Sequence, residues 1–496
     1  MNDASQQRFS SRWGLIVSVL GIAVGTGNIW RFPRIAAANG SEEGAGAFLV
    51  TWVAFLAMWS VPLIIAEYAL GRAGRRGVVG TFIAIGGENK AWMGGFVALT
   101  ATAIMFYYSV VTGWCFHYFF AAVVESPPDS THAAKSAWDS FQSGRAPLLY
   151  HAAAMALGAL AVRRGVGSIE RINRILVPAL VGVILIAATR AITLDGSGAG
   201  ITYLFTPTWS QLGDPKVWLE ALTQNAWDTG AGWGLILTYA AYMSERGSVV
   251  KSALITGITN NSISLLCAIT VFGTVFAVLG AQMPRDEVLA VMRDSGPAST
   301  GLTFIWMPQL FARMPLGQPL GVLFFLGLSF AAFSSLISMI ELAARTLVDM
   351  GIERSRAIAI VFAIGFALGV PSALSLELLG NQDFVWGIGL MVSGLLVAVV
   401  TAAGGTRRFR DEFANNPDDW DPGRPWALAI RVVVPVLAVA LLAWWFWLSA
   451  TEYAPDSWWD PFEPYSVMTC VVQWGLAIAV LLALRHRLVR AHRFRG

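Results

Sequence analysis

Gly21-Ile22-Ala23-Val24-Gly25-Thr26-Gly27-Asn28-Ile29-Trp30-Arg31-Phe32-Pro33 lies inside the first apolar run of a 496-residue chain. A helix crossing hydrocarbon would favour Leu and Ala, yet this one places three glycines and an asparagine in mid-span. A second stretch has the same character: Trp227-Asp228-Thr229-Gly230-Ala231-Gly232-Trp233-Gly234, in the middle of the sixth run. Gly21/Gly25 and Gly230/Gly234 both fit the small-residue spacing of closely packed membrane helices. Close packing leaves Asn28 and Asp228 unexplained, because an uncompensated acid at that depth is expensive. Unwinding explains them. It frees carbonyls for a cation and turns a half-helix N-terminus, with its amides and positive dipole, toward an anion. Paired interruptions at matching positions of two halves point to a transporter site between inverted repeats.

The rest of the chain agrees. Of its residues 56% are hydrophobic and 13% charged, against about a quarter charged in a soluble domain. About 20 apolar residues span a bilayer. On that criterion twelve spans are expected, centred near Ala23, Leu56, Met105, Met155, Val183, Leu235, Ile269, Leu328, Phe366, Gly394, Leu441 and Leu476. A soluble enzyme and a receptor with a large water-exposed domain are excluded. The net charge of +3 sits in short clusters between apolar runs, so nucleic acid is not an expected partner. Cys115, Cys267 and Cys470 lie within apolar runs and read as small buried hydrophobes. No HExxH, GxSxG or His/carboxylate cluster suggests catalysis, and the first run has no cleavage-like flank.

Most of the 34 Lys and Arg fall on one side of this twelve-span count, including Arg72, Arg75, Arg76, Arg163, Arg164 and the Arg407–Arg431 cluster. The Glu452–Glu463 loop, on the other side, has four acids and no base. Positive charge marks the cytoplasmic side, so both termini are expected there, in a cell (inner) membrane. Long external segments are expected at Ser126–Pro147 and Gln282–Pro315. One transporter domain should fill 1–496, with helices 1–5 of the first repeat in 12–190, helices 6–10 of the second in 217–405, and helices 11–12 in 425–486.

The stretch Ala23–Pro33 resembles the signature of the neurotransmitter:sodium symporter family, whose usual form has Leu where Thr26 stands. Further matches are Glu67-Tyr68-Ala69-Leu70-Gly71-Arg72, Tyr107-Tyr108, Asn260 and Ser334-Ser335, in order along all twelve spans. The resemblance implies an all-α membrane fold of twelve helices, two inverted five-helix repeats with helices 1 and 6 broken, and sodium-coupled import of a neutral amino acid by alternating access.

The resemblance also implies a site. One sodium would take the Ala23 carbonyl, Asn28, Asp228, Asn260 and the substrate carboxylate. A second would take the Gly21, Val24 and Ala331 carbonyls with the Ser334 and Ser335 hydroxyls. The substrate carboxylate would meet the Gly25–Gly27 amides and the Tyr108 hydroxyl. Ile22, Ala23, Ile104, Trp227, Gly230, Trp233, Ser335 and Met339 would complete the pocket. Arg31 and Asp383 align with the outer gate, and Tyr242 and Asp349 with the inner gate. The inner-gate arginine aligns at Gln6, with Arg8 two residues on, and Phe9 replaces a usual Trp.

Three departures matter. Position 228 is Ser or Thr in most relatives and Asp here, whereas the acid of chloride-independent bacterial members is Ser264 here. Taken alone, Ser264 implies a chloride requirement; taken with Asp228, it implies that the fixed negative charge has moved, so chloride is not expected. The helix-unwinding Gly of span five is Ser168, beside Gly167 and ahead of Pro178. Finally, Trp233 and Gly230 stand where many relatives have Phe and Ser, which favours a small or N-methylated substrate such as glycine, alanine, sarcosine or proline. A bulky hydrophobic or aromatic substrate is the alternative if Trp233 swings aside against Met339. A channel or a non-transporting amino-acid sensor on the same scaffold is the alternative of another class. No obligate protein partner is evident; the lipid bilayer and the amino acid are the expected partners.

Overall fold

The computed structural model describes residues 8–293, 301–414 and 416–493, and every regular element among them is a helix. Eight single helices are long and apolar enough to cross a bilayer. They are Gly46–Gly74 (span 2), Glu88–Val124 (span 3), Val166–Ile192 (span 5), Val250–Leu279 (span 7), Gly317–Asp349 (span 8), Arg354–Leu374 (span 9), Leu376–Ala403 (span 10) and Gly423–Tyr453 (span 11). Span 1 is the pair Arg12–Ala23 and Thr26–Ala38, bent by 49°. Span 4 is Ala146–Val162, entered at a 71° bend from Thr131–Ser143, and span 12 is Val467–Ala483. Span 6 is made of Pro215–Asp228 and Leu235–Ala240, each too short to cross alone. Every expected centre falls inside its span, and the fold is the twelve-helix, broken-helix architecture.

Spans 3 and 10 bury 78% of their most apolar window and spans 5 and 11 only 28%. Span 3 packs along spans 8 and 10 and stands at the centre of the bundle. The exposed Ile175, Leu185, Val436 and Val439 of spans 5 and 11 suit contact with lipid tails, which are as apolar as they are. Outside the spans, the segment expected after Ser126 folds into Thr131–Ser143. The described parts of the Gln282–Pro315 segment form Arg285–Arg293 and Leu302–Ala312. Arg293 donates to the Ala37 and Gly40 carbonyls, which fastens that loop to the end of span 1.

The two breaks are built differently. In span 1 the first half ends at Val24 (φ −81°, ψ 83°), and the extended Gly25 starts the second half. The Asn28 side-chain oxygen accepts from Gly25 N at 2.8 Å, capping the new helix from three residues inside it. In span 6, Gly230, Gly232 and Gly234 all adopt left-handed φ (67°, 87° and 77°), which an L side chain rarely tolerates. Glu67 of span 2 accepts from Gly232 N (2.6 Å), Gly234 N (3.2 Å) and Leu237 N (2.9 Å). Ser393 of span 10 donates to the Gly232 carbonyl at 2.5 Å. Span 5, by contrast, runs unbroken past Ser168 and Pro178.

Candidate functional site

A cavity of about 760 Å³ lies between the two breaks and reaches the face opposite the chain ends, where Lys216, Glu220, Glu452 and Tyr453 form its rim. Of the pocket residues expected from sequence, Ile22, Ala23, Gly25, Gly27, Tyr108, Trp227, Gly230, Trp233, Ser335 and Met339 all line it. Ile104 does not. It is fully buried in the apolar core one turn from Tyr108, and the larger Trp233 and Met339 supply the apolar wall instead.

Hydroxyls surround Gly25. Thr26 Oγ1 and Tyr108 OH are 3.2 Å apart, and Ser335 Oγ and Tyr108 OH lie 3.2 and 3.4 Å from where a Cβ on Gly25 would stand. Hydroxyl donors beside the N-terminus of the Thr26–Ala38 half-helix form a cradle of a kind that can hold a carboxylate. Thr26, noted in the sequence only as a departure, supplies one of these hydroxyls.

Beside this cradle, Asn28 Nδ2 donates to Asn260 Oδ1 at 2.9 Å and to Ser264 Oγ at 2.7 Å. The end of the Asn260 amide that meets Asn28 also lies 3.1 Å from the Ala23 carbonyl and 3.3 Å from the Asp228 carbonyl. With its oxygen inward, Asn260 completes a cluster of oxygens suited to a cation; reversed, its nitrogen donates to both carbonyls. The Asp228 carboxylate accepts from Gln224 and lies 3.0 Å from the Cβ position of Gly27. A second group joins spans 1 and 8. Ser335 Oγ donates to the Gly21 and Ile22 carbonyls at 3.2 Å, and Ser334 Oγ to the Ala331 carbonyl at 3.1 Å. Val24 stands at the break just above them.

The apolar side of the cavity rests on two indoles. Trp227 and Trp233 meet edge to face at 6.1 Å, and Trp233 Nε1 donates to the Ala226 carbonyl at 3.2 Å. A Cβ on Gly387 of span 10 would overlap the Trp227 ring, so that indole fits only against a residue without a side chain.

The gates are asymmetric. Arg31 and Asp383 both line the cavity but form no ion pair among the described residues; the Arg31 guanidinium stacks over Trp227 at 4.8 Å. On the face of the chain ends, Asp349 pairs with Arg345 at 2.9 Å and accepts from Gly77 N. Tyr242 OH donates to Glu341 at 2.7 Å, and Arg354 pairs with Glu341 at 2.5 Å. Arg8 reaches Glu245 at 2.9 Å, at the surface, and not Asp349. The expectation of Arg8 in the latch is thus corrected: an arginine one helical turn from Asp349 on span 8 takes the acid first. Gln6 lies outside the described residues. Phe9, buried edge-on against Tyr239 and Tyr242, closes that side. The i, i+4 spacing of Arg345 and Asp349 was a visible signal for this pair. Glu67 was visible only as a motif member.

A cavity bounded by two broken helices, open on one face of the bundle and closed on the other among the described residues, is the arrangement expected of a secondary transporter. The profile of the sodium:neurotransmitter symporter family matches residues 6–146 and 135–491. The chain belongs to that family. It is 27% identical over 461 residues to an uncharacterised sodium-dependent transporter of Methanocaldococcus jannaschii, covering 89% of this chain and 91% of the relative. It is also 27% identical to the sodium-dependent serotonin transporter of Drosophila melanogaster, over 88% of this chain and 76% of that one. Among solved structures, MhsT in complex with L-phenylalanine superposes with a TM-score of 0.75 at 28% identity, over 88% of this chain and 99% of that chain.

Proposed function

We propose that the protein couples two sodium ions to the import of a small neutral amino acid, with both termini cytoplasmic. The observation that carries this is the convergence of two breaks on one cavity. The carboxylate cradle at Gly25–Gly27 adjoins one oxygen cluster (Ala23, Asn28, Asp228, Asn260), and the second cluster (Gly21, Val24, Ala331, Ser334, Ser335) adjoins it through Ser335. A carboxylate bound in the cradle also reaches the first ion, so substrate and cation each stabilise the other's binding. In alternating access, the Arg31/Asp383 side closes as the Tyr242/Asp349 side opens; a channel would need no such opposed gates.

The small-substrate preference rests on Trp233, whose indole is pinned by its hydrogen bond to Ala226 and by Trp227. The phenylalanine held by MhsT favours a bulky apolar substrate instead, and competition separates the two. Proteoliposomes with an inward sodium gradient should concentrate glycine, alanine, sarcosine or proline above equilibrium, and these should outcompete leucine and tryptophan. Uptake that only equilibrates, or persists in potassium, overturns sodium coupling; leucine or tryptophan winning overturns only the size preference. Asp228 places a carboxylate where it supplies the negative charge beside the first ion. Uptake should therefore be unchanged when gluconate replaces chloride, and Asp228→Ser should abolish uptake or make it chloride-dependent.

A further inference from the structure

Asn173 stands on span 5, fully buried, and both atoms of its amide lack a hydrogen-bond partner among the described residues. Its oxygen lies 3.3 Å from the point where a Cβ on Gly21 would stand, and the Ser334 Cβ lies 3.2 Å from the same point. The amide is therefore directed at the seam between spans 1 and 8 where the second oxygen cluster sits. Ser18, one turn before Gly21 on the same face of span 1, is also buried, and its hydroxyl has no partner among the described residues. Within a membrane, burying an amide with neither end satisfied is costly, and no lipid group can relieve it. Asn or Leu would fill the space alike; only Asn brings an oxygen.

We propose that Asn173 Oδ1 is a further ligand for the sodium ion of the second site, adding an oxygen from span 5 to those of spans 1 and 8. This rests on the two-sodium function above. Hard cations take neutral carbonyl and amide oxygens readily, and a neutral ligand adds grip without a fixed charge that would have to be left behind on release. The location gives the ligand a second property. Three residues earlier on the same face of span 5, Glu170 accepts from Ser10 N (2.8 Å) and Ser10 Oγ (2.6 Å) and pairs with Arg174 at 2.6 Å. Arg174 in turn donates to Ser10 and Ser11. One helix face thus holds both the N-terminal segment and the ion's extra oxygen. Parting span 5 from span 1 withdraws Asn173 from the ion in the same movement that frees the N-terminus.

The test uses the purified full-length protein, with sodium chloride exchanged for potassium chloride at constant ionic strength and thermal stability as the readout, so that no amino acid is needed. The wild type should be stabilised by sodium with a defined midpoint. Asn173→Ala should raise that midpoint at least fivefold, while Asn173→Asp, which keeps an oxygen in place, should restore it or lower it and change the sodium-to-lithium preference. Ser335→Ala serves as the reference for the second site. If Ser335→Ala raises the midpoint and both Asn173 variants match the wild type, the ligand assignment falls and the second site stands. If the wild type shows no sodium stabilisation, or Ser335→Ala leaves it unchanged, the two-sodium function itself falls. Should Asn173→Ala not fold, Asn173→Asp and Asn173→Ser decide: an unchanged midpoint and unchanged lithium preference in both overturns the proposal.

Discussion

The two breaks that face each other across the cavity are held in opposite ways. The span 1 break is capped from within: Gly25 starts the new half-helix, and Asn28, three residues on, caps it, while its ties to other spans run through the site's own residues, Asn260, Ser264 and Ser335. The span 6 break is held from outside. Two of its three left-handed glycines, Gly232 and Gly234, and Leu237 donate their amides to Glu67 on span 2, and its Gly232 carbonyl accepts from Ser393 on span 10. A locally capped break can shift as a unit with its own helix. A break clamped by two other spans moves only if they move with it. The first is suited to follow ions and substrate, the second to remain a fixed wall.

The largest effect should come from Gly232→Ala. A non-glycine residue in the left-handed region costs about 1–2 kcal/mol, and here the new Cβ would also stand 2.7 Å from the Gly394 Cα. Membrane fractions should contain little folded protein, read by fluorescence-detected size exclusion; a normal profile would show that the clamp is loose. Next is Glu67→Ala, which strands three buried amides at about 1–3 kcal/mol each. Melting in detergent should fall sharply with sodium present or absent. Asn28→Ala should cost less in stability, about 1 kcal/mol for the lost cap and about 1 kcal/mol for each of its bonds to Asn260 and Ser264, but should raise the sodium needed for uptake several-fold. If Asn28→Ala melts like Glu67→Ala, the contrast between the breaks is wrong. Trp233→Phe should shift competition toward larger substrates by about 1–3 kcal/mol, graded and not absolute. Ser393→Ala should be mildest, near 1 kcal/mol in stability, with sodium dependence unchanged.

This contrast also explains what was legible in the chain. The span 1 break is a local pattern, so the glycines, Asn28 and the cavity-lining residues beside them could be read directly. Asp228 could be singled out because an acid at that depth demands a reason. Glu67 could not be assigned its role, since the amides it holds are 165 to 170 residues away. Ile104 was misplaced for a related cause. Helical phase puts it one turn from Tyr108, but whether that turn reaches the cavity depends on the bulk of Trp233 and Met339 arriving from spans 6 and 8. The inner-gate arginine aligns at Gln6, with Arg8 only the nearest arginine in sequence, while Arg345 lies one turn from Asp349 on the acid's own helix.

The contact between Gly387 and the Trp227 indole has a consequence for how such a chain can change over time. The indole is admitted only because position 387 carries no side chain, so the two sites, on spans 10 and 6, are bound into one epistatic pair. A lineage moving to a smaller aromatic at 227 gains freedom at 387. One that gains a methyl at 387 first would drive the ring under Arg31 toward the cavity. Substitutions there have a permitted order, and a library that varies either position alone would record Gly387 as intolerant when it is only waiting for its partner to change.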